Sequence, residues 1–240
     1  MTQGHEISRS ASFDPDLLAG LDEPVRRYFT HAIGAGAPLP RGLRLKMAGR
    51  IKADLWVPFR AEEEIDGRSF AWTARVGVGP LTLARIADSY GHGVGSTEGL
   101  LFGRRPLFAS ADEDTARSAA GRAALESAAF TIPSVLPERG VAWRAETDNT
   151  IVGRFNLPPE RPEVEVGIDA LGAIQQVSAV RWGPLGDNRY DYIPCGCEVH
   201  EERRFGHLTI PSRLTVSWQF GTPRQAPFLK VAITAAEPLA

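Results

Sequence analysis

Residues 192–222 read YIPCGCEVHEERRFGHLTIPSRLTVSWQFGT, and their alternation decides the architecture. In the second half Leu208, Ile210, Leu214, Val216, Trp218 and Phe220 hold the even positions, interrupted by Ser212. Thr209, Arg213, Thr215, Ser217 and Gln219 hold odd ones. Successive side chains of a strand point to opposite faces, so this is a half-buried strand with one apolar face. Pro211 gives no N–H to a ladder, which assigns it to an edge, a bulge or the strand start. Phe205-Gly206-His207 is a turn, because glycine permits positive φ, and the whole stretch forms a long hairpin.

The first half is less regular. Glu198, His200, Glu202 and Arg204 share one face. Cys195, Cys197, Val199 and Phe205 share the other, and strict alternation adds Glu201 and Arg203 to it. Either a bulge swaps the faces here, or an ion pair lines a cavity, since charges are seldom buried unless paired or used.

Upstream, Asp22-Glu23-Pro24 starts a helix, with Asp22 as N-cap and proline in the first turn. Val25, Tyr28, Phe29, Ala32 and Ile33 form its apolar stripe, and Gly34 can end it. Residues 43–55 alternate as a strand with a basic outer face. Residues 59–65 form the next strand, which puts Glu63 on an apolar face. Asp66-Gly67 is a hairpin turn, and Phe70, Trp72, Ala74, Val76 and Val78 line the following inner face. Residues 81–90 read as a further strand, in which Arg85 shares parity with Leu83 and is expected to face inward with Glu63. Residues 91–103 hold Gly91, Gly93, Gly95, Gly99 and Gly103. They lack the lysine and the strand-then-helix setting of a phosphate loop, so a twisted or bulged strand is the reading. Asp112-Glu113-Asp114 opens an alanine-rich helix that Pro133 ends, and its small side chains allow close approach to a sheet. Further strands are read at 141–146, 150–156, 164–168, 174–182 and 228–234, with residues 183–188 as a loop into the organising hairpin.

The expectation is an α+β fold with one strongly curved antiparallel sheet, a half-barrel of roughly ten strands, its two main helices packed on the concave face. A closed barrel with an external helix is the alternative. Residues 1–12 are expected to be disordered and residues 13–240 to form a single domain.

Hydrophobic residues at 43% and charged residues at 23% are ordinary for a globular chain. A formal net charge of −2 and the lack of a basic block give no drive toward nucleic acid. No apolar run is long enough for a transmembrane helix, and MTQGHEISRS lacks an apolar leader core, so the cytoplasm is the expected location.

The candidate chemistry is limited. Cys195, Cys197, His200 and His207 offer zinc-type ligands, but their spacing matches no standard site. The alternative is two buried thiols and two surface histidines. No nucleophile elbow, HExxH or dinucleotide fingerprint occurs, and no cofactor is implied. Glu63 and Glu201 are the candidate catalytic acids, with Arg85 and Arg203 as partners in an inward cluster. Trp72, Tyr90, Trp182 and Trp218, with Arg85 and Arg203, are the candidate ligand-binding residues of an apolar pocket. Three readings follow: a binder of a hydrophobic or amphiphilic small molecule, an enzyme using the Glu/Arg cluster, or a partner-binding module with a solid core.

Arg181-Trp182-Gly183, Ile193-Pro194-Cys195-Gly196, residues 201–205, Thr209-Ile210-Pro211-Ser212-Arg213 and Trp218-Gln219-Phe220-Gly221-Thr222 together resemble a bacterial family known as a domain of unknown function. The resemblance continues through Pro24-Val25-Arg26-Arg27-Tyr28 and Trp56-Val57-Pro58-Phe59. It implies no catalytic residue, and Cys195 stands where an aromatic is expected. Its implied shape is similar to the half-barrel of lipoprotein carriers, which hold acyl chains.

Overall fold

The computed structural model describes residues 12–79, 81–186 and 189–239. Six strands form a first meander: β1 Leu43–Lys52, β2 Trp56–Ile65, β3 Phe70–Val78, β4 Leu81–Gly91, β5 Val94–Leu101 and β6 Arg105–Ser110. Seven form a second: β7 Ala142–Thr147, β8 Thr150–Arg154, β9 Glu163–Ile168, β10 Ile174–Gly186, β11 Arg189–Phe205, β12 Leu208–Trp218 and β13 Ala226–Pro238. Helix α1 spans Glu23–Ala32 and α2 spans Glu113–Phe130.

All thirteen strands belong to one antiparallel sheet, in the order β6-β5-β4-β3-β2-β1-β13-β12-β11-β10-β9-β8-β7. The first and last strands pair at its centre, from Leu43 opposite Pro238 to Ile51 opposite Leu229. Among the described residues β6 and β7 are not paired to each other, so the sheet stays open. The strand count exceeds the expected ten. The glycine-rich stretch is β5, and the unanticipated β6 turns back from it. Residues 183–186, expected as loop, instead extend β10, and the hairpin tip at 187–188 lies outside the described residues. The disorder expected of residues 1–12 falls outside them too, apart from Ser12, which bridges to Pro38.

The order fixes what α2 does. The chain leaves the sheet at one edge, β6, and re-enters at the other, β7. The connection carrying α2 therefore crosses the whole width of a sheet face. Helix α2 touches β4 and β5 on one arm and β9, β10 and β12 on the other. A helix about 10 Å wide reaches both arms only if the sheet bends around it.

Composition permits the close fit. Ala116, Ala119, Ala120, Ala123, Ala124 and Ala128 are buried along α2. A Cβ on Gly95 of β5 would stand 2.8 Å from the Ala116 Cα and 2.9 Å from the Ala119 Cβ, so helix and strand meet where both lack bulk. A Cβ on Gly121 would stand 2.6 Å from the Arg181 side chain. The Asp112 carboxylate caps α2 by accepting from the Thr115 N–H at 2.8 Å.

Helix α1 buries Val25, Tyr28, Phe29 and Ala32, the stripe read from the sequence. Tyr28 and Phe29 meet Trp143 at centroid distances of 5.3 and 5.6 Å, which docks α1 on β7. The Tyr28 hydroxyl donates to the Ala128 carbonyl at 2.7 Å and ties the two helices together. Asp22 stands at the N-cap position but makes no capping bond. Its carboxylate accepts the Ala145 N–H of β7 at 2.7 Å, so it fixes α1 to the sheet instead.

Candidate functional site

A cavity of about 320 Å³ lies between α2 and the sheet. Most of its wall is apolar, including Met47, Trp72, Leu125, Val177, Leu214 and Val231. Ile51, Val216, Trp218, Phe228 and Leu229 line one half-buried side of it, and the exposed Phe108 lines it from the edge strand β6. Side chains from α2 and from both meanders contribute, because only the crossing helix brings the two arms to one space.

One wall is charged, and strand register explains how. Opposite residues of neighbouring strands share a face. Leu45 pairs with Glu63, Glu63 with Trp72, Trp72 with Asp88, and Asp88 with Thr97. This row crosses β1 to β5 on the inner face and sets two carboxylates beneath α2. Arg122 descends from the helix to meet them. Its guanidinium lies 2.7 Å from Asp88, 2.8 Å from Glu126 one turn along, and 3.2 Å from Glu63. It also sits over the rings of Phe70 and Trp72, at 4.5 and 5.1 Å.

The proton inventory of this cluster is uneven. Glu63 is 1% exposed, and burial, with the Glu126 carboxylate next, holds its pKa well above the ordinary 4.5. Glu126 Oε2 is buried and has no hydrogen-bond partner among the described residues. Burial works against the Arg122 charge, yet Glu126, Glu63 and Asp88 outweigh it and raise its pKa.

Glu63 gives a pH prediction. Its folded pKa lies above its unfolded value, so its contribution is fully present below the unfolded value and is lost as pH rises toward the folded one. Glu63→Gln keeps a neutral donor and removes that slope. Its stability relative to the parent is expected to improve as pH rises above the ordinary carboxylate range in denaturant titrations, and parallel curves would mean that Glu63 ionises normally.

Arg181 of β10 reaches the cavity from the other arm. Its Nε donates to the Ser118 carbonyl at 2.9 Å and its Nη2 to the Ser118 hydroxyl at 3.1 Å. Its guanidinium lies 4.8 Å from the Trp218 ring centroid and 3.9 Å from the Cys195 thiol. Among the described residues no carboxylate lies in ion-pair contact with it. Burial raises the Cys195 pKa, opposed by Arg181, and pushes Cys197 up to about 12. Both are therefore neutral, unreactive wall groups.

The residues singled out from the sequence separate into two sets. Trp72, Trp218, Glu63, Cys195 and Cys197 reach the cavity. Arg85, Arg203 and Glu201 do not. Arg85 is exposed and opposes Arg75, while Glu201 is exposed at 3.9 Å from Arg213, so the inward Glu/Arg cluster does not form. Register shifts on either side of Glu201 swap the faces of β11. Glu202 turns inward as a result, accepting from the Ile174 N–H at 3.0 Å and meeting His31 at 2.7 Å. Tyr90 is buried away from the cavity and donates to the Pro158 carbonyl at 2.6 Å. Trp182 serves as a latch. Its Nε1 donates to Asp114 at 2.8 Å, and the Arg117 guanidinium stacks on it at 3.6 Å while bonding Glu160 and Tyr192. His200 is exposed beside Thr215 and His207 is exposed in a turn, so these histidines do not converge with the cysteines. Among the described residues no three metal-ligating side chains gather. Arg122, Asp88, Glu126 and Arg181 were missed. The i,i+4 spacing of Arg122 and Glu126 was the available signal.

Among curated proteins no sequence matches the chain. A DUF1329 family protein from Desulfovibrio piger is similar with a TM-score of 0.45 and 9% identity, over 83% of this chain and 86% of that one. A LolA superfamily protein from Nitrosomonas europaea is similar with a TM-score of 0.45 and 7% identity, over 90% of this chain and 92% of that one. The resemblance read from the sequence is to an uncharacterised family, and residues 19–237 match one family model: the chain belongs to the family of unknown function DUF6920.

Proposed function

We propose that the protein binds a hydrophobic or amphiphilic small molecule between α2 and the concave side of the half-barrel. The supporting observation is the cavity itself. A packed interior leaves few voids larger than a water molecule, and an apolar space of about 320 Å³ is far above that. The volume sits at the lower end of small-molecule pockets, which favours a single chain or a compact ring system over a lipid with several chains. The Arg122 cluster and Arg181 supply polar anchors on an otherwise oily wall. A solid-cored module fits this interior less well.

Native mass spectrometry of protein purified from cells, followed by solvent extraction, tests the reading. A co-purifying amphiphile at one per chain is expected. Ala129, on the cavity wall, is the place to block it. Ala129→Phe is expected to abolish retention while the melting temperature holds or rises, since filling a void removes its cost. A clean apo mass, with no uptake from a panel of fatty acids, would end the proposal.

A second reading is acid–base chemistry by Glu63, favoured by a carboxyl at the cavity wall whose pKa burial raises. It competes with a structural role for the same proton. Turnover lost in Glu63→Gln with ligand retention intact would select it.

A further inference from the structure

The strand directions sort the turns into two rims. Turns β1–β2, β3–β4, β5–β6, β8–β9, β10–β11 and β12–β13 all lie at one end of the sheet. The half-buried lining residues Ile51, Trp218 and Phe228 lie close to this end, so the cavity reaches solvent here, as it does beside the exposed Phe108 of the edge strand β6.

Exposed apolar side chains collect on this rim. Leu55 is 76% exposed, Val78 63%, Leu81 58% and Phe102 59%, with Leu107 and Leu185 also exposed. The opposite rim has fewer, Val94 and Leu171 among them. Phe102 is the most telling. It sits in a turn at φ 50°, a left-handed conformation unfavourable for a bulky aromatic and natural for glycine or asparagine. An aromatic held there and aimed at solvent gains nothing from the fold. Cations alternate with these tips. Lys52, Arg104, Arg105, Arg154, Arg161, Arg189 and Arg224 are exposed along the rim, against Asp54, Glu163 and Asp191 among the described residues.

We propose that this rim docks on an anionic lipid bilayer surface, with Leu81 and Phe102 entering the headgroup region and Arg104 and Arg105 pairing with lipid phosphates. Discrete apolar tips on separate hairpins suit a soft, deformable partner better than a flat protein face. The interleaved cations match the negative potential of such a surface. Shallow apolar insertion combined with that attraction is the usual physics of reversible interfacial binding. The cavity opens at the rim that would meet the membrane.

Vesicle flotation tests this on the full chain. Wild-type protein is expected to float with vesicles of phosphatidylcholine mixed with phosphatidylglycerol, weakly with phosphatidylcholine alone, and less as salt rises. Arg104→Glu with Arg105→Glu is expected to lower partitioning about tenfold or more. Leu81→Ser with Phe102→Ser is expected to lower it to a similar degree. All four positions are exposed, so melting temperatures should match wild type and serve as the folding control. Failure of wild type to float with anionic vesicles overturns the proposal and leaves a protein partner as the occupant. Unchanged flotation of both variants overturns it as well. So does a concentration-dependent dimer that Leu81→Ser with Phe102→Ser abolishes while wild type ignores vesicles, since a second copy then covers the rim. Flotation is read whatever the cavity holds, so its failure leaves the ligand-binding reading standing.

Discussion

Arg122→Met is expected to lower the unfolding free energy by about 3–5 kcal/mol at neutral pH, because it leaves the buried Glu63 and the half-buried Asp88 and Glu126 without their cation. The guanidinium is the only group within ion-pair distance of Glu63, Asp88 and Glu126 together among the described residues. Methionine fills much of the same space, so the loss reports charge rather than volume. Arg122→Lys keeps the charge but not the fork that reaches several partners, and should fall between the two. Denaturant titration reads all of these. A methionine variant as stable as wild type would show that the cluster contributes nothing net.

Gly95→Val is expected to cost about 1–3 kcal/mol through overpacking, and more if α2 must shift as a body. The added Cβ would fall 2.8 Å from the Ala116 Cα and 2.9 Å from the Thr115 carbonyl oxygen, and backbone atoms do not move aside cheaply. Ser96→Val, one residue on and facing outward, is the control and should stay within about 0.5 kcal/mol. If both variants melt alike, α2 does not rest on β5 as described. Because α2 roofs the cavity, Gly95→Val should also weaken retention of any bound ligand.

How much of this was readable depended on regularity. Strand β2 alternates without a break from Phe59 to Ile65, and Glu63 was placed inward correctly from parity alone. Strand β4 misled. Leu81 and Leu83 suggested the inner set, but they lie near an exposed tip, and the true inner set is Ala84, Ile86, Asp88 and Tyr90. Counting from the wrong apolar residues put Arg85 inside. In β11 the sequence offered a bulge or a buried ion pair, and two register shifts near Glu201 decide for the bulge. The site itself was harder to see. Its charged wall joins β2, β4 and α2, which are far apart in sequence, and no local period reports that α2 crosses from one sheet edge to the other.

The central pairing of β1 with β13 has a consequence for synthesis. Lys52 closes β1, yet its partner strand begins only at Ala226. At ribosomal speeds of about 5–20 residues per second, that delay is about 10–35 s. For that interval the nascent first meander carries an open hydrogen-bonding edge along β1, the kind of edge other chains pair with. The outer face of β1 carries Arg44, Lys46, Arg50 and Lys52, which discourages such pairing. The basic stripe that reads in the finished protein as ordinary solvation thus has a second use as a temporary guard, needed until the last strand arrives.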